Sequence, residues 1–143
     1  MMTKNVEIIY TSQPSSEEIQ ALYDGIASYA QSNKNQPPIE TFGFFVYSDS
    51  KKVLAGCTGA ILYGCLYIDS LWVGKAMRHQ HLGTRLIASS ECLGKEKGCL
   101  FATVNTMDWE ALGFYQKLGF EIEFQRTGYL NESTMYFLKK SLS

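Results

Sequence analysis

The stretch "CLYIDSLWVGKAMRHQHLGTRL", residues 65–86, sets an apolar run, a loop with two histidines and an arginine, and the start of a helical pattern back to back. The run "CLYIDSLWV" reads as a strand. A period of two places Tyr67, Asp69, Leu71 and Val73 on one face and Leu66, Ile68, Ser70 and Trp72 on the other. A carboxylate at Asp69 is the oddest residue in so apolar a segment. Beyond the loop, Leu82, Leu86, Ile87, Ser90 and Leu93 mark one face of a helix that ends near Gly94 to Gly98. A strand that runs through a glycine-bearing loop into a helix exposes unpaired N–H groups at the positive end of the helix dipole, which makes an anion site. Arg78 adds a formal charge there, the Thr84 hydroxyl can donate, and Gly83 lets an anion approach the backbone. Many helices begin near a glycine and bind nothing, so the loop needs support from its neighbours.

The whole chain narrows the choices. Its 143 residues, 45% of them apolar and 19% charged, suit one globular domain with its own core. A net charge of −1 argues against a nucleic-acid binder, which normally carries a basic field. No apolar run approaches the roughly 18 residues of a membrane helix, and "MMTKNVEIIY" shows no secretory signal, so the expectation is a cytoplasmic protein. Cys57, Cys65, Cys92 and Cys99 form no close pair, which points to reduced, mostly buried thiols rather than zinc ligands or a disulfide frame.

Along the chain, "VEIIYT" (Val6 to Thr11) reads as a first strand. A helix comes next, opened by Ser15 with Glu18 three residues on and striped with Ile19, Leu22, Ile26 and Tyr29. "NQPPIE" ends it, because proline cannot continue a helix. "TFGFFVYS" and "VLAGCTGAILY" read as a hairpin around Asp49 and Ser50. Its alternating aromatics Phe42, Phe44, Phe45, Tyr47 and Tyr63 are expected to be mostly core. After the helix at Leu82 come a strand "CLFATV", a short helix "DWEALGFYQKL", and strands "GFEIEFQR" and "STMYFLKKSL". Hairpins followed by strand–helix–strand–helix–strands predict an α/β (α+β) fold with a mixed sheet.

The strand "YIDSLWV", the loop "RHQHLGTRL" and the later "DWEALGFYQKLGFE" together resemble the GNAT superfamily of acetyl-CoA-dependent N-acyltransferases. That family's loop runs Arg/Gln-x-x-Gly-x-Gly/Ala before a helix, and here it becomes Arg78-His79-Gln80-His81-Leu82-Gly83. Its later Phe-Tyr and Leu-Gly-Phe pattern is present as Phe114-Tyr115 and Leu118-Gly119-Phe120. The likeness covers residues 40 to 143, with only element order shared before that. His81 replaces the loop's first glycine, and if that position needs positive φ the histidine pays a steric cost. The usual proline after the strand is replaced by "GKAM".

The resemblance implies a mostly antiparallel central sheet with helices on both faces in a single domain. It also implies attack of an amine, from a small metabolite or a protein, on the thioester of acetyl-CoA. Leu71, Trp72 and Val73 would offer backbone groups to the cosubstrate where their strand splays from the next, and Arg78, His79, Gln80, His81, Leu82, Gly83 and Thr84 would hold its phosphates. Asn105 would touch the pantetheine arm. Tyr115 matches the tyrosine that protonates the departing thiolate, against the plainer reading that it packs beside Phe114. Asp69 is a candidate base whose pKa partial burial would raise, or else a structural carboxylate paired with a lysine or arginine. His79 and His81 read as solvated loop residues rather than metal ligands, because no further ligand stands at a convincing spacing. Asp108 is expected to cap the short helix. The acidic residues do not cluster in sequence and so lend no support to a polycationic acceptor. A homodimer is open, and the alternative function is a non-catalytic module that binds acetyl-CoA or CoA.

Overall fold

A computed structural model describes residues 5–143, which divide into two compact units at 38/39. In the first unit, α1 spans Ser16–Lys34. Ser15 caps it as its sequence predicts. The Glu18 amide donates to the Ser15 hydroxyl at 3.0 Å, and the Ser15 amide donates to the Glu18 carboxylate at 2.8 Å. Asn35 ends the helix in the left-handed region, φ 54°, ahead of Pro37 and Pro38. The expected strand at Val6–Thr11 does not form, because these residues pair with no neighbour. A β-rich composition supplies propensity, but a strand exists only where a partner's backbone closes its hydrogen bonds.

The second unit is a six-stranded sheet in the order β1-β2-β3-β4-β6-β5. The strands are β1 (Glu40–Tyr47), β2 (Val53–Leu62), β3 (Cys65–Val73), β4 (Phe101–Met107), β5 (Glu121–Tyr129) and β6 (Ser133–Ser141). Only β3 and β4 run parallel; every other pair is antiparallel. Tyr63 and Gly64, both at positive φ, turn β2 into β3 as a two-residue hairpin. The crossover from β3 to β4 is α2 (Leu82–Glu96), and α3 (Leu112–Lys117) leads from β4 toward β5.

Both helices of this unit bury against the same apolar face. Leu82, Leu86 and Ile87 of α2 and Tyr115 of α3 join Ala55, Cys57, Leu66, Ile68, Val104 and Leu138 in one cluster. Lys140 of β6, mostly buried, meets both carboxylate oxygens of Glu91 at 3.0 Å and so ties α2 to the sheet. Phe42 and Phe44 pack on this cluster, whereas Phe45, Tyr47 and Tyr63 are exposed, so the aromatic alternation is half core and half surface.

The strict alternation expected for β3 fails at one residue. Thr58 pairs with Ser70 and its neighbour Gly59 with Ile68, so Asp69 is an extra residue, a bulge. The bulge reverses the facing of every later position in the strand. Leu66 and Ile68 before it, and Leu71 and Val73 after it, all pack on the core, while Trp72 is exposed. Gly59 opposite the bulge is closely approached, since a Cβ there would collide with the Tyr67 carbonyl and the Phe42 ring. Gly59→Ala is therefore expected to cost about 1–3 kcal/mol of stability, as an overpacked site does. Urea unfolding of the two proteins measures it.

Candidate active site

The bulge has a partner feature one strand away. β3 and β4 pair only from Cys65 with Phe101 to Ile68 with Val104, yet β3 continues to Val73 and β4 to Met107. Beyond that point the two strands separate, and their facing backbone groups lack the ladder that β-strands normally close. A cavity of about 430 Å³ lies in the gap, lined by Asp69, Ser70 and Leu71 of β3, Val104, Asn105 and Thr106 of β4, and Glu110, Ala111 and Tyr115. A second, of about 420 Å³, is lined by Val73, Met77, Arg78, His79, His81, Leu82, Gly83, Thr84 and Phe114. β3 and α3 each send residues to both.

The sequence-derived site residues sort between these spaces. Leu71, Asn105, Asp69 and Tyr115 line the first; Val73, Arg78, His79, His81, Leu82, Gly83 and Thr84 line the second. Two fall outside. The Trp72 side chain lies on a groove with Phe45 and Gly56, because the bulge turned it away, and Gln80 lines neither cavity.

At the second cavity, α2 begins as an anion site should. Arg85 is the first residue whose amide closes a helical turn, onto the His81 carbonyl at 3.0 Å, which leaves Leu82, Gly83 and Thr84 as first-turn donors. His81 has φ 58° and His79 φ 67°, so the backbone does take the left-handed turn that a glycine would favour. Histidine bears that conformation better than branched residues do. The Arg78 Nε donates to the Val73 carbonyl at 3.2 Å, fixing its guanidinium over the end of β3. Among the described residues no carboxylate lines this cavity.

The first cavity has the opposite character. Among the described residues it carries Asp69 and Glu110 and no lysine, arginine or histidine. Asp69 is exposed rather than partly buried. It pairs with no cation among the described residues; instead its Oδ1 accepts from the Thr58 hydroxyl at 2.6 Å. Glu110 is a residue the sequence did not single out. Its Oε1 accepts from the Met107 amide at 2.9 Å, while the Thr106 hydroxyl accepts from the Ala111 amide at 3.1 Å. These two contacts take the place of the expected Asp108 cap. α3 starts at Leu112 behind Ala111, with no side-chain cap, and Asp108 instead donates its amide to the Thr134 carbonyl at 2.8 Å. A side chain that answers a backbone amide three residues back leaves no periodic signal.

Tyr115 is buried, with its ring edge-on to Phe114 and Phe120 at 5.1 and 5.6 Å. Burial, reinforced by the neighbouring Cys57 and Glu110, pushes its phenol well above the usual tyrosine range, so it keeps its proton. Burial also raises the Cys57, Cys65 and Cys99 thiols, which makes them poorer nucleophiles. Cys57 and Cys99 are buried, as expected, whereas Cys65 is half-buried and Cys92 exposed. Among the described residues, no group of three or more metal-ligating side chains gathers, and no helix is long and apolar enough to cross a membrane.

Residues 6–120 match the acetyltransferase (GNAT) family. The chain is 32% identical over 106 residues to a blasticidin-S acetyltransferase of Streptomyces morookaense, across 73% of this chain and 78% of that one. An acetyltransferase structure from Bacillus cereus superposes with TM-score 0.72 at 24% identity, covering 93% of this chain and 97% of its own. A Bacillus anthracis structure described as a "putative streptothricin acetyltransferase", in complex with acetyl coenzyme A, gives TM-score 0.63 at 19% identity over 71% and 62% of the two chains. The chain belongs to the GNAT acetyltransferase family.

The left-handed turn at His81 can be tested directly. His81→Val should cost about 1–2 kcal/mol, since a branched side chain is strained there, whereas His81→Gly should leave stability close to the parent. Thermal unfolding of both variants reads the difference.

Proposed function

We propose that the protein transfers the acetyl group of acetyl-CoA to a primary amine. The observation that carries this reading is the pair of oppositely charged cavities strung along β3, one ready for phosphates and one open at the strand separation. The cationic lining and the first-turn amides of α2 fit a diphosphate. The B. anthracis neighbour, a protein of the same fold, is described with acetyl coenzyme A, which lends this donor further support.

The cosubstrate supplies a thioester, whose carbonyl carbon an amine nitrogen attacks as the carbon–sulfur bond breaks. This chain's residues would do the rest. Arg78 and the amides of Leu82, Gly83 and Thr84 bind phosphate oxygens, with Thr84 able to add its hydroxyl. The β3 backbone at Leu71 and Val73, unpaired on the β4 side, would face the pantetheine arm and the developing oxyanion; fixed donors aimed at such charge contribute a few kcal/mol. Asn105 would contact the same arm. Tyr115 gives its proton to the departing thiolate sulfur, a role that a phenol kept neutral by burial can fill. Asp69 takes the proton that the attacking amine loses. It is held by Thr58 and paired with no cation among the described residues, which favours this role over the structural one.

Tyr115→Phe should lower kcat by about a hundredfold, the low end for a positioned acid, with little change in the Kd for acetyl-CoA. Equal loss of both would make the ring a packing element. With the phenol's pKa raised, the protonated form that the reaction needs persists as pH rises. The pH profile of kcat should thus show no alkaline fall from Tyr115 up to about pH 10, where an ordinary tyrosine titrates. Arg78→Ala should weaken acetyl-CoA binding about tenfold, as loss of a charge-assisted contact does; isothermal titration measures it, and inorganic pyrophosphate should compete for the same place. Thiol release across a panel of amines tests turnover itself and sets the enzyme apart from a module that only binds the nucleotide.

A further inference from the structure

We propose that Glu110 is a positioning residue that stops β4 from closing on β3, and so keeps open the slot that takes the cosubstrate's pantetheine arm. The inference rests on the acyl-transfer reading above. The β3–β4 ladder ends at Ile68 and Val104, although β4 runs on to Met107. Successive residues of a strand turn their backbone groups to opposite edges. The Asp108 amide, one residue past β4, donates to the Thr134 carbonyl of β6 at 2.8 Å, so Met107 turns its own groups toward β3. Across the gap, the Gly74 amide donates to the Leu54 carbonyl of β2 at 2.9 Å, so Val73 and Leu71 turn theirs toward β4. Continued pairing would join the Met107 amide to a β3 carbonyl.

Glu110 takes that bond instead. The Met107 amide donates to Glu110 Oε1 at 2.9 Å, and the Met107 carbonyl accepts from the Glu110 amide at 3.0 Å. One residue therefore supplies both the acceptor and the donor that a neighbouring strand would have offered. An amide satisfied in this way has no call on β3, and β3 has no reason to approach it. Glu110 also lines the cavity together with Leu71 and Asn105, so the stop stands at the opening it maintains. A simple turn cap would hold Met107–Ala111 in shape without consequence for β3. The two readings differ in what β3 does when the side chain is removed.

Hydrogen exchange on the full chain reads the slot with no ligand present. Glu110 is exposed, so Glu110→Ala leaves the packed core untouched. In that variant β4 should close on β3 and the Leu71 and Val73 amides should exchange about tenfold more slowly. Glu110→Gln, which keeps an oxygen for the Met107 amide, should restore the parent rates. Calorimetry then compares coenzyme A with 3′-phosphoadenosine 5′-diphosphate, which carries the phosphates and lacks the arm. Glu110→Ala should weaken coenzyme A about tenfold and leave the arm-less nucleotide unchanged. The proposal is overturned if the two amides in Glu110→Ala stay within about twofold of the parent. It is equally overturned if both nucleotides weaken alike, as loss of a turn cap would make them. Slowed amides in a protein that binds neither nucleotide would support the stop while sinking acyl transfer.

Discussion

The backbone of β3 cannot satisfy two neighbours at once over its whole length, and the rest of the site grows out of that conflict. Against β2 it keeps its pairing to the end by absorbing one extra residue at Asp69. Against β4 it gives up after Ile68. A bulge increases local twist and re-aims the side chains beyond it, so a strand bent at Asp69 on one edge is led away from its parallel neighbour on the other. Gly59 makes the bend sterically possible, and Thr58 occupies one oxygen of the carboxylate that the bend pushes out. The same residue that breaks the alternation thus stands at the mouth of the opening it helps to create.

Charge is divided along this strand. Past its C-terminal end come Arg78, two loop histidines and the first turn of α2; at the separation itself come Asp69 and Glu110. Under the function proposed here, an anionic donor and a cationic acceptor would each meet the opposite sign, with the apolar residues Leu71 and Val73 between the two regions. Such an arrangement favours one orientation of the two reactants, since reversing them would place like charges together.

Much of this was legible in the order of residues. The capping box at Ser15 and Glu18, the strand Cys65–Val73 and the helix start at Leu82 are local signals, written in side chains three or four positions apart, and they fall where the pattern puts them. The left-handed turn at His81 was foreseeable because the family loop carries glycine there. What was not legible depends on pairing across the sheet. Asp69 stood out as a carboxylate, but its place as an extra residue in the strand shows only in the pairing of Thr58 with Ser70 and Gly59 with Ile68. The segment Val6–Thr11 has strand-like residues and no partner strand. Glu110 drew no attention because it lies 41 positions from Asp69 (110 minus 69), and only the separation of β3 from β4 brings both onto one wall. Acidic residues scattered in sequence can still converge in space.

Asp69 and Glu110 share one more property: both are exposed, and neither contributes to the buried cluster beneath them. Replacing either with another polar side chain would remove at most one hydrogen bond and leave the apolar packing intact. Over generations of descent, this wall can therefore change its sign or shape while the scaffold below and the Arg78–Thr84 loop alongside stay as they are. A lineage built on this chassis is free to diverge in what it modifies long before it diverges in how it folds.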